Sequence, residues 1–393
     1  MKHSIYHSHA IYNRLIDLKI CQLFPHHIIK HIMAILISVF CMGYRGKTVD
    51  FERCSPHHRT TLAYFLNHGK WNDSSLESLL KKLVISRIYE ESKRSGQPIY
   101  CIVDDTISSK TKPSSRALHP IEDAYFHQSH LKGRQDYGHQ AVAVMLSCNG
   151  IILNYAIVMY DKSVSKIDIV NRIAQELPQA PVLSYFLCDS WYPSEKLITT
   201  FIKKGFYTIA ALKTNRILYP YGIKSKLSDY AQKLSENKQF FHLVTVKGHQ
   251  YYVHRYEGKV NKLGNAVVLI SYPKEAFGNP KALRAFLCTN VGLETQDILE
   301  RYTSRWPIEI FFRQSKGKLA FDKYQIRSSK GIKRFWLLMS LAHYLCCTYN
   351  EQPCSFEDGY LEYRKCIQKE QIYYLYECGV KNIPFNEVYS MLA

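Results

Sequence analysis

A change in hydrophobic period near residue 98 constrains the fold of this 393-residue chain more than any other feature. Beyond it, short apolar runs alternate with segments of helical spacing. Two of these runs are joined at Asn149-Gly150, a dipeptide that favours two-residue hairpin turns. The predicted order is strand 98–106, hairpin strands 140–148 and 151–160, helix 165–177, strand 182–190, helix 194–205 and strand 206–214. This alternation predicts a mixed α/β sheet.

The regions on either side of this sheet have a different pattern. Helical spacing predominates at both ends of the chain, and Asn72 or Asp73 is positioned to cap one long N-terminal helix. A stretch that alternates and turns at glycines predicts an inserted antiparallel β unit. Segment 284–290 either closes this unit or rejoins the main sheet. The predicted regions are a helical N-terminal region (1–95) that binds DNA ends, the first part of the core (96–217), the β-rich insertion (218–281), the second part of the core (282–335) and a helical C-terminal region (336–393) that dimerises.

The charge of the chain indicates a polyanionic partner. Lys and Arg outnumber Asp and Glu by 52 to 33, a formal net charge of +19. Residues 218–281 hold ten basic and four acidic side chains, and residues 302–334 hold nine and two. This concentration favours nucleic acid over an anionic membrane, and it disfavours a carboxylate-pair glycosidase, whose substrate is uncharged.

No segment of the sequence predicts a membrane span. The longest apolar run, residues 32–42, is too short to cross a bilayer and is interpreted as a buried helix. The twelve cysteines form no CxxC pair and no disulfide-like spacing, which is typical of a reducing cytoplasm. We therefore expect a cytoplasmic protein with no membrane partner.

Three carboxylate positions are candidates for a metal site. The runs "IVDDT" and "LCDSW" place Asp105, preceded by Asp104, and Asp189 at the ends of two predicted strands. Glu309 lies among cations in "YTSRWPIEIFFRQSK", residues 302–316. If the two strands are parallel neighbours, their aspartates face each other, and a third carboxylate from Glu309 would suit Mg²⁺ or Mn²⁺. Two such ions can activate a nucleophile and stabilise the leaving oxygen of a phosphodiester.

The spacing around Glu309 has two interpretations. Tyr302, Arg305, Glu309, Arg313 and Lys316 follow one another at intervals of three or four residues. On one continuous helix they would share an arc of about 80°, either as a surface of ion pairs or as a functional face. Pro307 interrupts this pattern, so either the helix is kinked or a new helix begins there.

The motifs resemble those of insertion-sequence transposases of the "IS-four" superfamily. Tyr302, Arg305, Glu309 and Lys316 match its Tyr-Arg-Glu-Lys signature, while "DDT" and "DSWY" are similar to its first two aspartate motifs. The resemblance covers roughly residues 95–340. It implies a ribonuclease-H-like core interrupted by a β-rich insertion, and an Asp-Asp-Glu triad that binds Mg²⁺, with Mn²⁺ as a substitute.

Position by position, the resemblance assigns Asp105, Asp189 and Glu309 as catalytic metal ligands, with Asp104 as the alternative to Asp105. It implies phosphate contacts from Tyr302, Arg305 and Lys316. Arg313 lies outside the signature, and we expect it to be either a further backbone contact or a solvated charge. The family's activity is to bind the terminal inverted repeats of double-stranded DNA, cleave them and join the 3′ ends to target DNA. Synapsis of two ends implies a homodimer on DNA. The resemblance also implies a bacterial protein associated with the nucleoid.

Two alternative functions fit the same residues. One is a structure-selective nuclease that cuts without joining, and the other is an inactive relative that only binds DNA. The insertion also lacks tryptophan, whereas relatives that form hairpin ends stack a base on one. Tyr251 or Tyr252 is therefore a candidate base platform, unless both fill the insertion's own core, and Lys224, Lys226, Lys247 and Arg255 are candidate backbone contacts.

Overall fold

A mixed β-sheet of twelve strands runs through the part of the chain that the computed structural model describes, which comprises residues 7–117, 120–129, 133–349 and 354–392. The strands are β1 Tyr100–Ser109, β2 Tyr125–Ser129, β3 Arg134–Cys148, β4 Ile151–Tyr160, β5 Ser184–Cys188, β6 Phe206–Ala211, β7 Ile217–Leu218, β8 Ser225–Lys226, β9 His242–Val246, β10 His249–Val260, β11 Gly264–Pro273 and β12 Arg284–Cys288. The α/β class predicted from the sequence is confirmed.

Helices flank this sheet and form both ends of the described chain. They are α1 His9–Asp17, α2 His26–Met42, α3 Thr48–Glu52, α4 Arg59–Asn67, α5 Asp73–Ser95, α6 Lys166–Glu176, α7 Glu195–Lys203, α8 Leu227–Ser235, α9 Thr295–Thr303, α10 Pro307–Lys318, α11 Ser329–Cys347, α12 Phe356–Val380 and α13 Phe385–Leu392. Asn72 caps α5, since its side chain accepts a hydrogen bond from the Ser75 amide. Within the described ranges, none of these helices combines the length and apolarity needed to cross a bilayer.

The centre of the sheet follows the predicted order. Strand β1 pairs antiparallel with β3 and parallel with β5, and β5 is parallel to β6. Strands β3 and β4 form the predicted hairpin, where Asn149 and Gly150 have φ values of 47° and 81°. Positive φ at both turn residues is the conformation that an Asn-Gly pair accommodates at low cost.

The insertion continues the main sheet and is not a separate one. Strand β12 pairs with β6 on one side and with β11 on the other, so the segment 284–290 rejoins the core. The insertion also contains α8, which the alternating pattern did not predict. Leu227, Ala231 and Leu234 of α8 pack in a second apolar cluster with residues of β10 and β11.

Arg334 joins the N-terminal helices to the rest of the chain. It lies on α11 with only 1% of its surface exposed, and its guanidinium donates hydrogen bonds to the carbonyl groups of Gly69 and Trp71, each at 2.8 Å. It also reaches the Phe65 and Leu66 carbonyls and lies over the Trp71 ring. A buried cation with this many acceptors holds the loop between α4 and α5 against α11.

Candidate active site

The two neighbouring aspartates lie within β1 and not at its end. Pairing with β3 continues from Tyr100 to Ser109, because the antiparallel partner is long enough to extend β1 past the carboxylates. The parallel partner β5 ends at Cys188, which pairs with Val103. Asp104 and Asp189 are the residues that directly follow this last pair. Successive strand residues point to opposite faces, and Asp104 and Asp105 therefore face different environments.

Asp104 faces the segment that carries Glu309. The Arg305 Nη1 donates to Asp104 Oδ2 at 2.7 Å, and its Nη2 donates to Glu309 Oε1 at 3.0 Å. The side chains of Asp104 and Arg305 are each 16% exposed, and that of Glu309 is 41% exposed. One guanidinium thus bridges two of the candidate carboxylates, which are 205 positions apart in the sequence.

The signature residues do not share one helix. Helix α9 ends at Thr303, and α10 begins at Pro307 with proline in its first turn. Of the two interpretations of Pro307, the structure has the new helix, because proline cannot continue the hydrogen-bond ladder of α9 but suits the start of α10. Tyr302 lies on α9, Arg305 in the break, and Glu309 on α10.

The other signature residues have individual environments. Lys316 Nζ donates to Thr106 Oγ1 at 2.7 Å, which ties α10 to the β1 face that carries Asp104. The Tyr302 ring packs 4.8 Å from Phe286, and burial raises the pKa of its phenol to about 12. Arg313 is exposed on α10. The structure thus brings Arg305, Glu309 and Lys316 onto the Asp104 face and leaves Arg313 in solvent.

Charge is incompletely compensated around Asp104. Burial raises the pKa of the Asp104 carboxyl to about 7, and the charge of Asp189 adds to the rise, while Arg305 opposes it. The pKa of Arg305 is itself raised, because Tyr302, Asp104 and Glu309 favour its charge more than burial disfavours it. The ion pair is favourable, but it only partly offsets the cost of burying Asp104 near a second carboxylate.

Asp105 lies among different partners on the opposite face of β1. Its Oδ2 accepts hydrogen bonds from Lys166 Nζ and from Tyr192 Oη, each at 2.9 Å, and its Oδ1 accepts from Gln140. None of these contacts is shared with Glu309 or Arg305. The structure therefore does not bring Asp105, the residue favoured from the sequence, together with Glu309 and Arg305. The alternation of β1 places Asp104 and Thr106 on one face and Asp105 on the other, but it does not show which face meets Glu309.

The donor chemistry of the Asp104 face suits a hard divalent cation. Asp104, Asp189 and Glu309 offer carboxylate oxygens from three separate segments of the chain, the oxygen type that Mg²⁺ and Mn²⁺ prefer. Among residues 7–117, 120–129, 133–349 and 354–392, no three His, Cys, Asp or Glu side chains are grouped closely enough to hold an ion. Arg305 contacts one oxygen of each of two carboxylates, Asp104 Oδ2 and Glu309 Oε1.

The fold is that of a ribonuclease-H-like core, with Asp104 on β1, Asp189 directly after the neighbouring parallel strand β5, and Glu309 on a helix that follows an insertion. A family model described as a transposase DDE domain matches residues 95–345. The chain therefore belongs to the DDE transposase family, whose domains generally use divalent metals for nuclease and transposase chemistry. A search among curated proteins found no match.

Proposed function

We propose that this protein is an insertion-sequence transposase of the IS-four superfamily. It binds the terminal inverted repeats of its own element as double-stranded DNA, cleaves the ends and joins the 3′ ends to target DNA. The observation that carries this proposal is the convergence of Asp104, Arg305 and Glu309 beside Asp189, within a chain of the DDE family. A cluster of carboxylates with a bridging arginine suits phosphodiester chemistry.

In this proposal, the residues that hold Mg²⁺, or Mn²⁺ in its place, are Asp104, Asp189 and Glu309. The bound metal supplies activation of the attacking oxygen and stabilisation of the leaving oxygen. Arg305 balances the charge of Asp104 and Glu309 in the structure, and once released it is placed to bind a phosphate in bidentate fashion. Lys316 holds α10 against β1 and thereby keeps Glu309 near Asp104.

The DNA path is proposed to run from this cluster towards the insertion. A cleft of about 490 Å³ opens beside Ser190, the residue after Asp189, where β6 passes into the insertion. It is lined by residues that include Ser190, Lys213, Thr214, Asn215 and Arg284. Exposed cations beside a carboxylate site are suited to backbone phosphates, whereas uncharged sugars would gain nothing from them.

The insertion supports only part of the contacts expected from its sequence. Arg255 is occupied within the protein, donating to Glu257 and to the carbonyl groups of Val291 and Leu293. Tyr252 is half-buried, with Phe277 at its edge and Lys238 Nζ 4.1 Å from its ring centre. Tyr251 is half-buried against the main core. These contacts favour a packing role for both tyrosines and leave the base platform as an untested hypothesis.

Incubation with Mg²⁺ and DNA that carries both ends of the element tests the proposed reaction. We expect metal-dependent release of 3′ hydroxyl ends followed by products joined to a second DNA. Cleavage without joined products would instead identify a structure-selective nuclease. Binding without nicking in Mg²⁺ or Mn²⁺ would identify an inactive relative that only binds DNA.

Salt dependence tests the proposed phosphate contacts. Replacing Lys213 or Arg313 with glutamine should weaken binding to terminal-repeat DNA and reduce the slope of log affinity against log salt by about 0.9 for each lost contact. Both side chains are exposed, so their loss should leave the fold intact. Fluorescence anisotropy at four salt concentrations measures the slope.

Lys365→Gln on α12 is the matched control for this titration. Lys365 is exposed and pairs with Glu362 on its own helix. Slopes that fall equally in all three variants would show a general charge effect, and unchanged slopes for Lys213 and Arg313 would remove those residues from the interface.

The C-terminal helices are the proposed dimer interface. Ile372, Tyr376 and Val380 recur every four residues on α12 and are 67%, 68% and 64% exposed, and Phe385 of α13 is 77% exposed. An exposed apolar stripe of this kind is typical of a face that a partner covers. A second copy is the proposed partner, because cleaving two ends together requires two active sites.

A charge placed in this stripe should prevent pairing. Tyr376→Arg is expected to give a monomeric protein–DNA complex in light scattering after size-exclusion chromatography, where the unaltered protein gives a complex with two copies. Tyr64→Arg is the control, since Tyr64 is similarly exposed, at 60%, but lies on α4 and not on α12. A complex with two copies for Tyr376→Arg would place the interface elsewhere.

A further inference from the structure

Asp105 belongs to a polar cluster that the proposed metal ligands do not use. Its carboxylate is 19% exposed and forms an ion pair with Lys166, which is 12% exposed at the start of α6. The hydroxyl of Tyr192, a fully buried residue, donates to the same oxygen at 2.9 Å. A half-buried carboxylate with three donors is a fixed anchor, because loss of any donor leaves a charged acceptor underpaired.

This cluster contacts the loop that carries Asp189. Tyr192 comes three positions after Asp189, and the intervening Trp191 donates its amide proton to Asp189 Oδ1 at 2.9 Å. Lys166 Nζ lies 4.8 Å from the centre of the Trp191 ring. The Asp105–Lys166 pair therefore contacts two consecutive residues of the Asp189 loop, one through a hydrogen bond and one through a cation–π contact.

The two aspartates of β1 thus act on one site from opposite faces of the strand. Asp104 presents its carboxylate on the side of Arg305 and Glu309. Asp105, the next residue of β1, accepts a hydrogen bond from Tyr192 in the loop that follows β5. Because Asp104 and Asp105 are covalent neighbours, the Asp105–Tyr192 bond links the position of the Asp189 loop to that of Asp104.

We propose that Asp105 is a positioning residue that fixes Asp189 relative to Asp104 through Tyr192 and Lys166, and that it is not a metal ligand. This inference rests on the proposed function, in which Asp104 and Asp189 hold the metal. Residues that orient metal ligands typically affect metal affinity or activity by about 10- to 100-fold when removed, whereas loss of a ligand removes the site.

Mn²⁺ binding, measured by the electron paramagnetic resonance signal of the unbound ion, tests this role without any reaction. We expect Asp105→Ala to weaken Mn²⁺ binding by about 10- to 100-fold, and Asp105→Asn to weaken it by less, since one oxygen remains to accept from Tyr192. Tyr192→Phe should weaken it in the same direction. The Asp105→Ala, Tyr192→Phe double variant should add little to Asp105→Ala, because both changes break the same link.

Mg²⁺ titration of cleavage provides the second measurement. For Asp105→Ala the half-saturating Mg²⁺ concentration should rise by the same factor as in the Mn²⁺ assay, and most cleavage should return at high Mg²⁺. Asp104→Asn should lose both Mn²⁺ binding and cleavage at every concentration. Asp105→Asn is nearly isosteric with the native residue, so it keeps the test valid if the alanine variant unfolds on thermal denaturation.

Two results would overturn the proposal. If Asp105→Asn lost cleavage at saturating Mg²⁺ while Asp104→Asn cut normally, Asp105 would be the ligand. If Mn²⁺ affinity were unchanged in Asp105→Ala and Tyr192→Phe, the cluster would be structural only. Failure of the proposed function has a different signature, namely no Mg²⁺-dependent cleavage by the unaltered protein or normal cleavage by variants of Asp104, Asp189 and Glu309 alike.

Discussion

Asp104→Asn is expected to abolish Mg²⁺-dependent cleavage of the element's ends, by at least about a thousandfold, while DNA binding persists. The physical reason is that an amide cannot replace a carboxylate charge in holding a divalent cation, and metal stabilisation of the transition state is worth several kcal/mol. Asp189→Asn and Glu309→Gln should have the same effect, since each supplies one carboxylate to the proposed site. Single-turnover cleavage of a labelled end measures the loss.

Asp105→Asn is the matched control for this prediction. It makes the same chemical change one residue along β1, on the face that contacts Lys166 and Tyr192. A much smaller loss is expected, because an asparagine oxygen still accepts a hydrogen bond there. Cleavage at the normal rate by Asp104→Asn would show that the Asp104 face is not the metal site, whatever the result for Asp105.

Arg334→Met is expected to lower the free energy of unfolding by about 3–5 kcal/mol, because it removes a buried cation and the hydrogen bonds that this cation donates to buried carbonyl groups. Methionine retains much of the side-chain volume, so the loss reports hydrogen bonds more than packing. The carbonyl groups of Gly69 and Trp71 lose bonds of 2.8 Å. Urea unfolding followed by circular dichroism measures the change.

Lys333→Met controls for the loss of a positive charge on α11, since Lys333 is the exposed neighbour of Arg334. Its effect should stay within about 0.5 kcal/mol, the usual range for a surface change. If Arg334→Met cost no more than Lys333→Met, the buried hydrogen bonds of Arg334 would contribute nothing net to stability.

The sequence by itself determined the local features of the fold. Asn149-Gly150 specifies its hairpin because few other residues adopt positive φ at two consecutive positions. Asn72 begins α5 because its side chain satisfies an amide of the first turn. The alternation of strands and helices then predicts the mixed sheet, since each element must cover an apolar face of its neighbour. All of these signals act within a few residues of one another.

Two features of the site were open in the sequence and were decided by tertiary structure. Pro307 allowed either a kink or a new helix, and the structure begins α10 there. The alternation of β1 showed that only one of Asp104 and Asp105 could face Glu309, but it did not show which one. That choice depends on which face of β1 packs against α10, a contact between segments about 200 residues apart. Local sequence patterns carry no information about such packing, because it is set by how the whole sheet and its helices bury their apolar surfaces together.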